Sequence, residues 1–310
     1  MRVRITATDP QAMSAATVVY SSFVDTQRIR AAHDDFNGNG LTDLWFFYPP
    51  AGLWKAAYDG GQHADLFFGE QTSWPVPGDY DGEGVVDPAV YDQASGLWLA
   101  LLSGSGYACA SAILGGPGYS PVPGDYDGDG LIDPAVYDQA SGLWLARISG
   151  NAYLIETAML GGDGYSAVPG DYDGDGKTDP AVYHPESGWW LALISGSAYA
   201  LDGMQFGGAE FTPVPGDYDG DGKTDLAVYW APGNRWWLRS SYSGQVRQSS
   251  FGTSAGRGIP VPGYYDYDAQ CDPATVHLDD DFIVWCVDCS QAGYCGHSYQ
   301  ISQDRWRVHW

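Results

Sequence analysis

Basic residues are scarce in this 310-residue chain: 14 lysines and arginines stand against 39 aspartates and glutamates, for a net charge of −25. A protein that grips a phosphate backbone needs the opposite sign, so nucleic acid is excluded as the expected partner. Anionic membrane surfaces are disfavoured for the same reason. Long apolar runs are also missing, so no transmembrane helix and no membrane insertion are expected. Residues 1–20 contain no continuous apolar stretch ending in a small-residue cleavage site and do not read as a signal peptide. Nor is there a recurring nucleophile and base. His33, His63, His184, His277, His297 and His309 are scattered, so no catalytic residue is assigned and an enzyme is not the expected class.

What the chain does have is glycine (42), proline (19) and aromatics (15%), within a hydrophobic fraction of 44%. That fraction is enough for a sizeable core and excludes an acidic disordered tail. The balance reads as many short strands joined by tight turns. Self-similarity is plain. The segment "PVPGDYDGDGLIDPAVYDQASGLWLA" begins at Pro121, and near-copies begin at Pro75, Ala167 and Pro213. Anchored on the first aspartate of the acidic loop, these copies fall at Asp79, Asp125, Asp171 and Asp217, spaced by 46. Degenerate copies at Asp35 and Tyr264 bring the repeats to six.

One unit reads as four strands, residues 121–126, 135–137, 143–148 and 153–160, separated by "GDG", "SG" and "GG" turns. In the third strand Trp144, Ala146 and Ile148 face one way and Leu143 and Leu145 the other, so both faces are apolar and both must be covered. Four-stranded sheets stacked around an axis meet that need. The expected fold is therefore all-β: a β-propeller of six four-stranded blades, with seven as the alternative. Residues 16–23 occupy the place of a fourth strand and would close the ring. The segments "VRITATD" and "DRWRVHW" would add strands to the closing blade or form a seventh. The expected division is an N-terminal segment over 1–26 and the propeller over 27–310.

The loop pattern is D-x-D-G-D-G-x-x-D. In the third repeat it offers the carboxylates of Asp125, Asp127, Asp129 and Asp133, with the backbone carbonyl of Leu131 between the last two. Calcium is a hard ion that takes six to eight oxygens in loose geometry, and alternate residues of a tight loop can turn their oxygens to one point. Four carboxylates this close repel one another without a cation. A solvated acidic turn is the plainer reading, but the recurrence of the spacing argues for metal. An EF-hand is not formed, because loop position 12 is Val136 or Val182, inside a strand pattern.

Repeats of "DYDGDGKTDPAVY" resemble the FG-GAP and VCBS repeats of integrin α-subunit propellers, also found in bacterial surface proteins and a fungal calcium-containing lectin. The resemblance covers nearly all of residues 27–303. It implies calcium ligands at Asp79, Asp81, Glu83 and Asp87 in the second repeat. In the fourth it implies Asp171, Asp173, Asp175 and Asp179, and in the fifth Asp217, Asp219, Asp221 and Asp225. The carbonyls of Lys177 and Lys223 stand where Leu131 does. The first repeat departs, with Asp35, Asn37, Asn39 and Asp43, so its affinity should be weaker. The sixth has Tyr264 for the first aspartate, and Tyr267 and Ala269 for the glycines, and is expected to be weak or empty. Four or five calcium ions follow. The segment "VRITATDPQAMSAATVVY", residues 3–20, also resembles the last hairpin of a bacterial immunoglobulin-like or cadherin-like module, which would make it a remnant of a preceding module instead of a closing strand.

Four of the five cysteines, Cys271, Cys286, Cys289 and Cys295, lie in the last repeat and are expected to form disulfides. Zinc, held by Cys286, Cys289, Cys295 and His297, is the rival reading. Cys109 is expected to be a buried thiol. Trp54, Trp98, Trp144, Trp190, Trp237 and Trp285 recur on the third strand as blade packing. Tyr119, Tyr165 and Phe211, with Trp74 one residue out of step, fall in the linkers between blades, away from the acidic loops. They are candidate rings for stacking on sugars, against a plainer role as gap fillers. The expected function is a calcium-stabilised binding or adhesion module, extracellular or on a cell surface and cut from a larger secreted protein, with a glycan or a surface protein as partner. A structural scaffold and a carbohydrate-active enzyme are the alternatives.

Overall fold

In the computed structural model, residues 35–48, 52–57, 63–251, 258–278, 282–289, 297–302 and 305–307 are described. They form six consecutive antiparallel sheets. The first has three strands, Leu44–Tyr48, Leu53–Ala57 and His63–Phe67. The next four have four strands each. The third repeat is typical, with Tyr119–Pro121, Ala135–Asp138, Leu143–Ile148 and Leu154–Met159 paired in chain order. The last has five strands, because Arg305–Arg307 pairs with His297–Ser302.

The molecule is thus an all-β propeller, and the expectation of six or seven four-stranded blades is corrected. Five sheets carry the four or more strands of a full blade, and among the described residues the first repeat supplies a three-stranded sheet. Its first strand would fall six residues before Asp35, outside the described residues, and the sequence there lacks the Pro-Val-Pro of Pro75–Pro77. The proposed closing strand at residues 16–23 also lies outside them, as do residues 1–26 altogether.

Period-two alternation assigns each side chain to a blade or to a junction. In Ala135–Asp138, Tyr137 packs on Trp144 of its own blade at a ring distance of 4.8 Å. Its neighbour Val136 turns the other way and joins the core of the preceding blade, with Val76, Trp98 and Leu114. Val90, Val182 and Val228 make the same crossing at their junctions. The tyrosine–tryptophan pair recurs as Tyr91–Trp98, Tyr183–Trp190 and Tyr229–Trp236. The last pair corrects the sequence reading. Trp236, not Trp237, lies 46 residues after Trp190 and is fully buried. Trp237 faces the other side of its strand and meets Phe211 edge-on at 5.0 Å.

Two further expectations change. The first strand of the third repeat runs over Tyr119–Pro121 instead of 121–126. Beyond Pro121 the pairing continues only through Val122 N to Ala135 O and an isolated bridge between Gly124 and Asp133, with Pro121 and Pro123 at the alternate positions whose missing N–H faces away from the ladder. Cys109 is exposed on the outer strand Ala108–Ile113 rather than buried. Cys289 is disulfide-bonded, while Cys271 and Cys286 are buried in one cluster. No helix among the described residues is long and apolar enough to cross a membrane.

Candidate metal centre

Each acidic loop is built by its first aspartate. Asp125 accepts N–H bonds through Oδ1 from Gly128 (2.6 Å) and Asp129 (3.2 Å), and through Oδ2 from Gly130 (2.9 Å). Gly128 and Gly130 sit at φ +80° and +92°, where a side chain would be strained, so the glycines permit the turn. The ninth residue closes it. Asp133 accepts from Tyr126 N through Oδ2 (3.1 Å) and from Ser149 N through Oδ1 (2.7 Å). The same two bonds hold Asp87, Asp179 and Asp225 in their loops.

These turns gather the first, third and ninth carboxylates. Asp79, Asp81 and Asp87 present oxygens within 4.8 Å of one another, as do Asp125, Asp127 and Asp133. Asp171, Asp173 and Asp179, and Asp217, Asp219 and Asp225, repeat the cluster. The fifth carboxylate stands apart. Asp129, Asp175 and Asp221 are exposed and each accepts a hydroxyl bond, from Ser149 (2.9 Å), Ser195 (3.0 Å) and Ser241 (3.0 Å). Glu83 does the same with Ser103. These serines were missed in the sequence reading, although each follows its loop's first aspartate by 24 residues. That recurrence was the available signal.

Burial makes the clusters electrostatically costly without a cation. It pushes the Asp133 carboxyl up to about 7, and Asp179 and Asp225 to about 6, with nearby third-position carboxylates adding to the effect. Asp87, Asp125 and Asp217 are raised by the same cause. Asp81 is raised by burial and by Asp79, against a lowering contact from the Gly104 N–H, and apart from that contact its buried carboxylate oxygens have no hydrogen-bond partner. An all-oxygen set with an orphaned buried carboxylate fits a cation of the hard class.

The outer loops differ. In the first, Asn37 Nδ2 donates to Asp43 Oδ1 at 3.0 Å, so an amide hydrogen stands against the ninth carboxylate. Asn39 Oδ1 accepts from Leu41 N, a bond it shares with the fifth residues Asp129, Asp175 and Asp221 of the middle loops. In the sixth, Asp266 and Asp272 gather with Cys289, whose sulfur is committed to a disulfide. All six loops share one further feature. The N–H of each eighth loop residue donates to the carbonyl of the first residue in the preceding loop, as in Thr178 N to Asp125 O at 2.6 Å. The series runs through Val86, Ile132, Thr178, Thr224 and Cys271, and Thr42 N to Tyr264 O closes it into a ring. The seventh residues lie over the preceding loops: a Cβ on Gly128 would meet Lys177 Cγ at 3.2 Å, and one on Gly174 would meet Lys223 Cγ at 3.1 Å.

The candidate aromatics sit at the far end of the blades. Tyr119 pairs in register with Asp138, beside the tight turn. Tyr119, Tyr165 and Phe211 are half-buried against blade cores, and Tyr165 meets His184 edge-on at 4.9 Å. Trp74 is 43% exposed.

No family model matches the sequence. No curated protein matches it either. Among solved structures, the chain is similar to propellers at low identity. Virginiamycin B lyase from Staphylococcus aureus is 10% identical with a TM-score of 0.50, covering 85% of this chain and 94% of that one. An auxiliary nutrient binding protein from Bacteroides thetaiotaomicron is 9% identical at 0.50, covering 83% and 66%. BBS1N in complex with ARL6DN is 12% identical at 0.51, covering 94% and 90%. At these identities the likeness shows the fold alone. The lyases overturn the expectation that the chain is not an enzyme: the same architecture carries an enzyme, so scattered histidines do not exclude that class.

Proposed function

We propose that this chain is a calcium-stabilised binding module that works outside the cell or on its surface. The observation that carries the reading is the four-fold recurrence of three converging carboxylates, with the ninth buried in each. Calcium suits the site better than magnesium because it accepts loose, oxygen-only geometry and sheds water readily. The cation would sit among the first, third and ninth side chains, with the carbonyls of Leu131, Lys177 and Lys223 as further oxygens in three of the loops. Extracellular calcium is plentiful enough to fill sites of modest affinity. The nutrient-binding and protein-partnered propellers above are consistent with a binding role for the fold.

A glycan or a surface protein is the ligand class this reading favours. Of the four rings considered for stacking on sugars, Trp74 offers the most open face, so it is the first to test. The test of the metal reading is a melting curve in calcium and in chelator, paired with native mass spectrometry to count bound ions. A curve and a mass unchanged by either treatment would overturn it.

A further inference from the structure

Three consecutive blade junctions each enclose a cavity, of about 240, 300 and 270 Å³. All three arise from the same small residue on the third strand, Ala100, Ala146 or Ala192, which leaves a hollow beneath the next blade. Two positions then vary. Across the ladder from the alanine stand Ala110, Glu156 and Asp202. From the next blade come Arg147, Leu193 and Arg239, which occupy one repeat position spaced by 46.

The charges of the three cavities therefore differ although their walls are alike. The one between the third and fourth repeats holds Glu156 and no base. The one between the fourth and fifth is mixed, with Asp202, Lys223 and Arg239. There Arg239 is already used, Nε on Met204 Sδ at 2.8 Å and Nη1 on Gly244 O. The cavity between the second and third repeats has Arg147 as its one charged residue and no acid in its lining. Arg147 Nη1 reaches Ile113 O at 3.3 Å, but its Nε is buried with no hydrogen-bond partner. A buried cationic donor left unmet is costly, and it is the more unusual in a chain with 39 acids. The rest of the lining is largely apolar, with Trp98, Leu99, Leu102 and Ile132 as walls and Tyr80, Ser111 and Tyr153 as the hydroxyl residues, of which Tyr80 donates to Val76 O.

We propose that this cavity binds a small carboxylate carried on an apolar body, with Arg147 receiving the carboxylate and the Trp98 side holding the body. A guanidinium matches a carboxylate in two parallel hydrogen bonds, and the volume suits one ring or a short branched chain. The assignment does not depend on the metal sites, so it is tested with calcium at saturation.

The probe is phenylacetate, titrated into the full chain by calorimetry beside its neutral analogue phenylacetamide. Phenylacetate should bind one to one, and the amide at least about tenfold more weakly, the loss of one charge-assisted contact. Arg147→Leu should weaken phenylacetate by a similar factor while leaving melting temperature and calcium content unchanged, since leucine occupies that position in Leu101 and Leu193. Ala110→Glu, which copies Glu156, is the second variant and should weaken the acid more than the amide. Equal binding of acid and amide, full binding by both variants, or no binding by the wild type up to about 10 mM would each overturn the proposal.

Discussion

The four middle loops and the two outer ones share a backbone but not a charge problem. In loops two to five, three carboxylates converge and the ninth is buried at 0–1% exposure. In loop one, Asn37 places an amide hydrogen on Asp43, and in loop six Tyr264 removes the first carboxylate. Yet all six take part in the hydrogen-bonded ring between blades. The turn and the ring therefore belong to the fold, and the concentrated negative charge is an addition to it. A loop that keeps the turn without that charge has solved its electrostatics internally. A loop that keeps the charge needs something from solvent.

Removing calcium should expose that difference most strongly. A site filled at a hundredfold excess over its Kd adds about 2.7 kcal/mol to native stability, so four such sites add about 11 kcal/mol. The expected outcome is a large fall in melting temperature on chelation. Native mass spectrometry should show one ion fewer for Asp127→Ala or Asp173→Ala and no change for Asp268→Ala. Equal losses from all three would erase the distinction between middle and outer loops.

The next effect is the pH dependence of the cation-free protein. Asp133 titrates at about 7 and Asp179 and Asp225 at about 6 in the folded chain, against an ordinary value of 3.8. Below the ordinary value both states are protonated and nothing is lost. Between it and the folded values the unfolded chain has released protons that the native chain still holds, so stability falls as pH rises. In chelator the melting temperature should therefore decline from about pH 4 to pH 7 and then level off. In calcium the decline should flatten or reverse, because protons compete with the cation. Melting curves across pH in both buffers decide it, and a decline of equal slope in both would sink the linkage.

Converting one class of loop into the other is a smaller and sharper test. Asn37→Asp restores the third carboxylate of loop one and removes the amide bond to Asp43. Without calcium it should destabilise by about 1–3 kcal/mol, the cost of unmet buried polar groups. With calcium it should bind one ion more than the wild type. Denaturant titration and ion counting read the two halves separately.

Much of this was legible in sequence because it repeats. The 46-residue period, the acidic loop and the tryptophan of the third strand all announced themselves by recurrence. What failed did so for local reasons. Trp236 and Trp237 are adjacent, and only strict counting from Trp190 separates the buried ring from the one against Phe211. The first strand ended early because past Pro121 only Val122 and an isolated bridge at Gly124 still pair with the partner strand. Ser149 drew no notice in the sequence, since its partner Asp129 is 20 positions away. The cavity at Arg147 is invisible in one dimension, because its charge balance depends on Ala110 across the ladder and on the blade before it.

The smallest effect concerns that serine and decides what the fifth carboxylate does. Asp129 was expected to be a calcium ligand, but its Oδ2 accepts the Ser149 hydroxyl, and the equivalent serines hold Glu83, Asp175 and Asp221. If the fifth carboxylate joins the cation, it must first leave its serine, and a typical hydrogen bond is worth about 1 kcal/mol, or roughly fivefold in affinity. Replacing Ser103, Ser149, Ser195 and Ser241 together with alanine should then tighten mean calcium affinity by about that factor, while lowering stability in chelator. The ninth aspartates keep their bonds to the backbone N–H of the same residues, so the turn survives the change. Unchanged affinity would instead mean that the fifth carboxylate stays on its serine and that the first, third and ninth side chains, with a carbonyl and water, complete the shell. Weakened affinity would mean that the serine orients the fifth carboxylate toward the ion and does not compete with it.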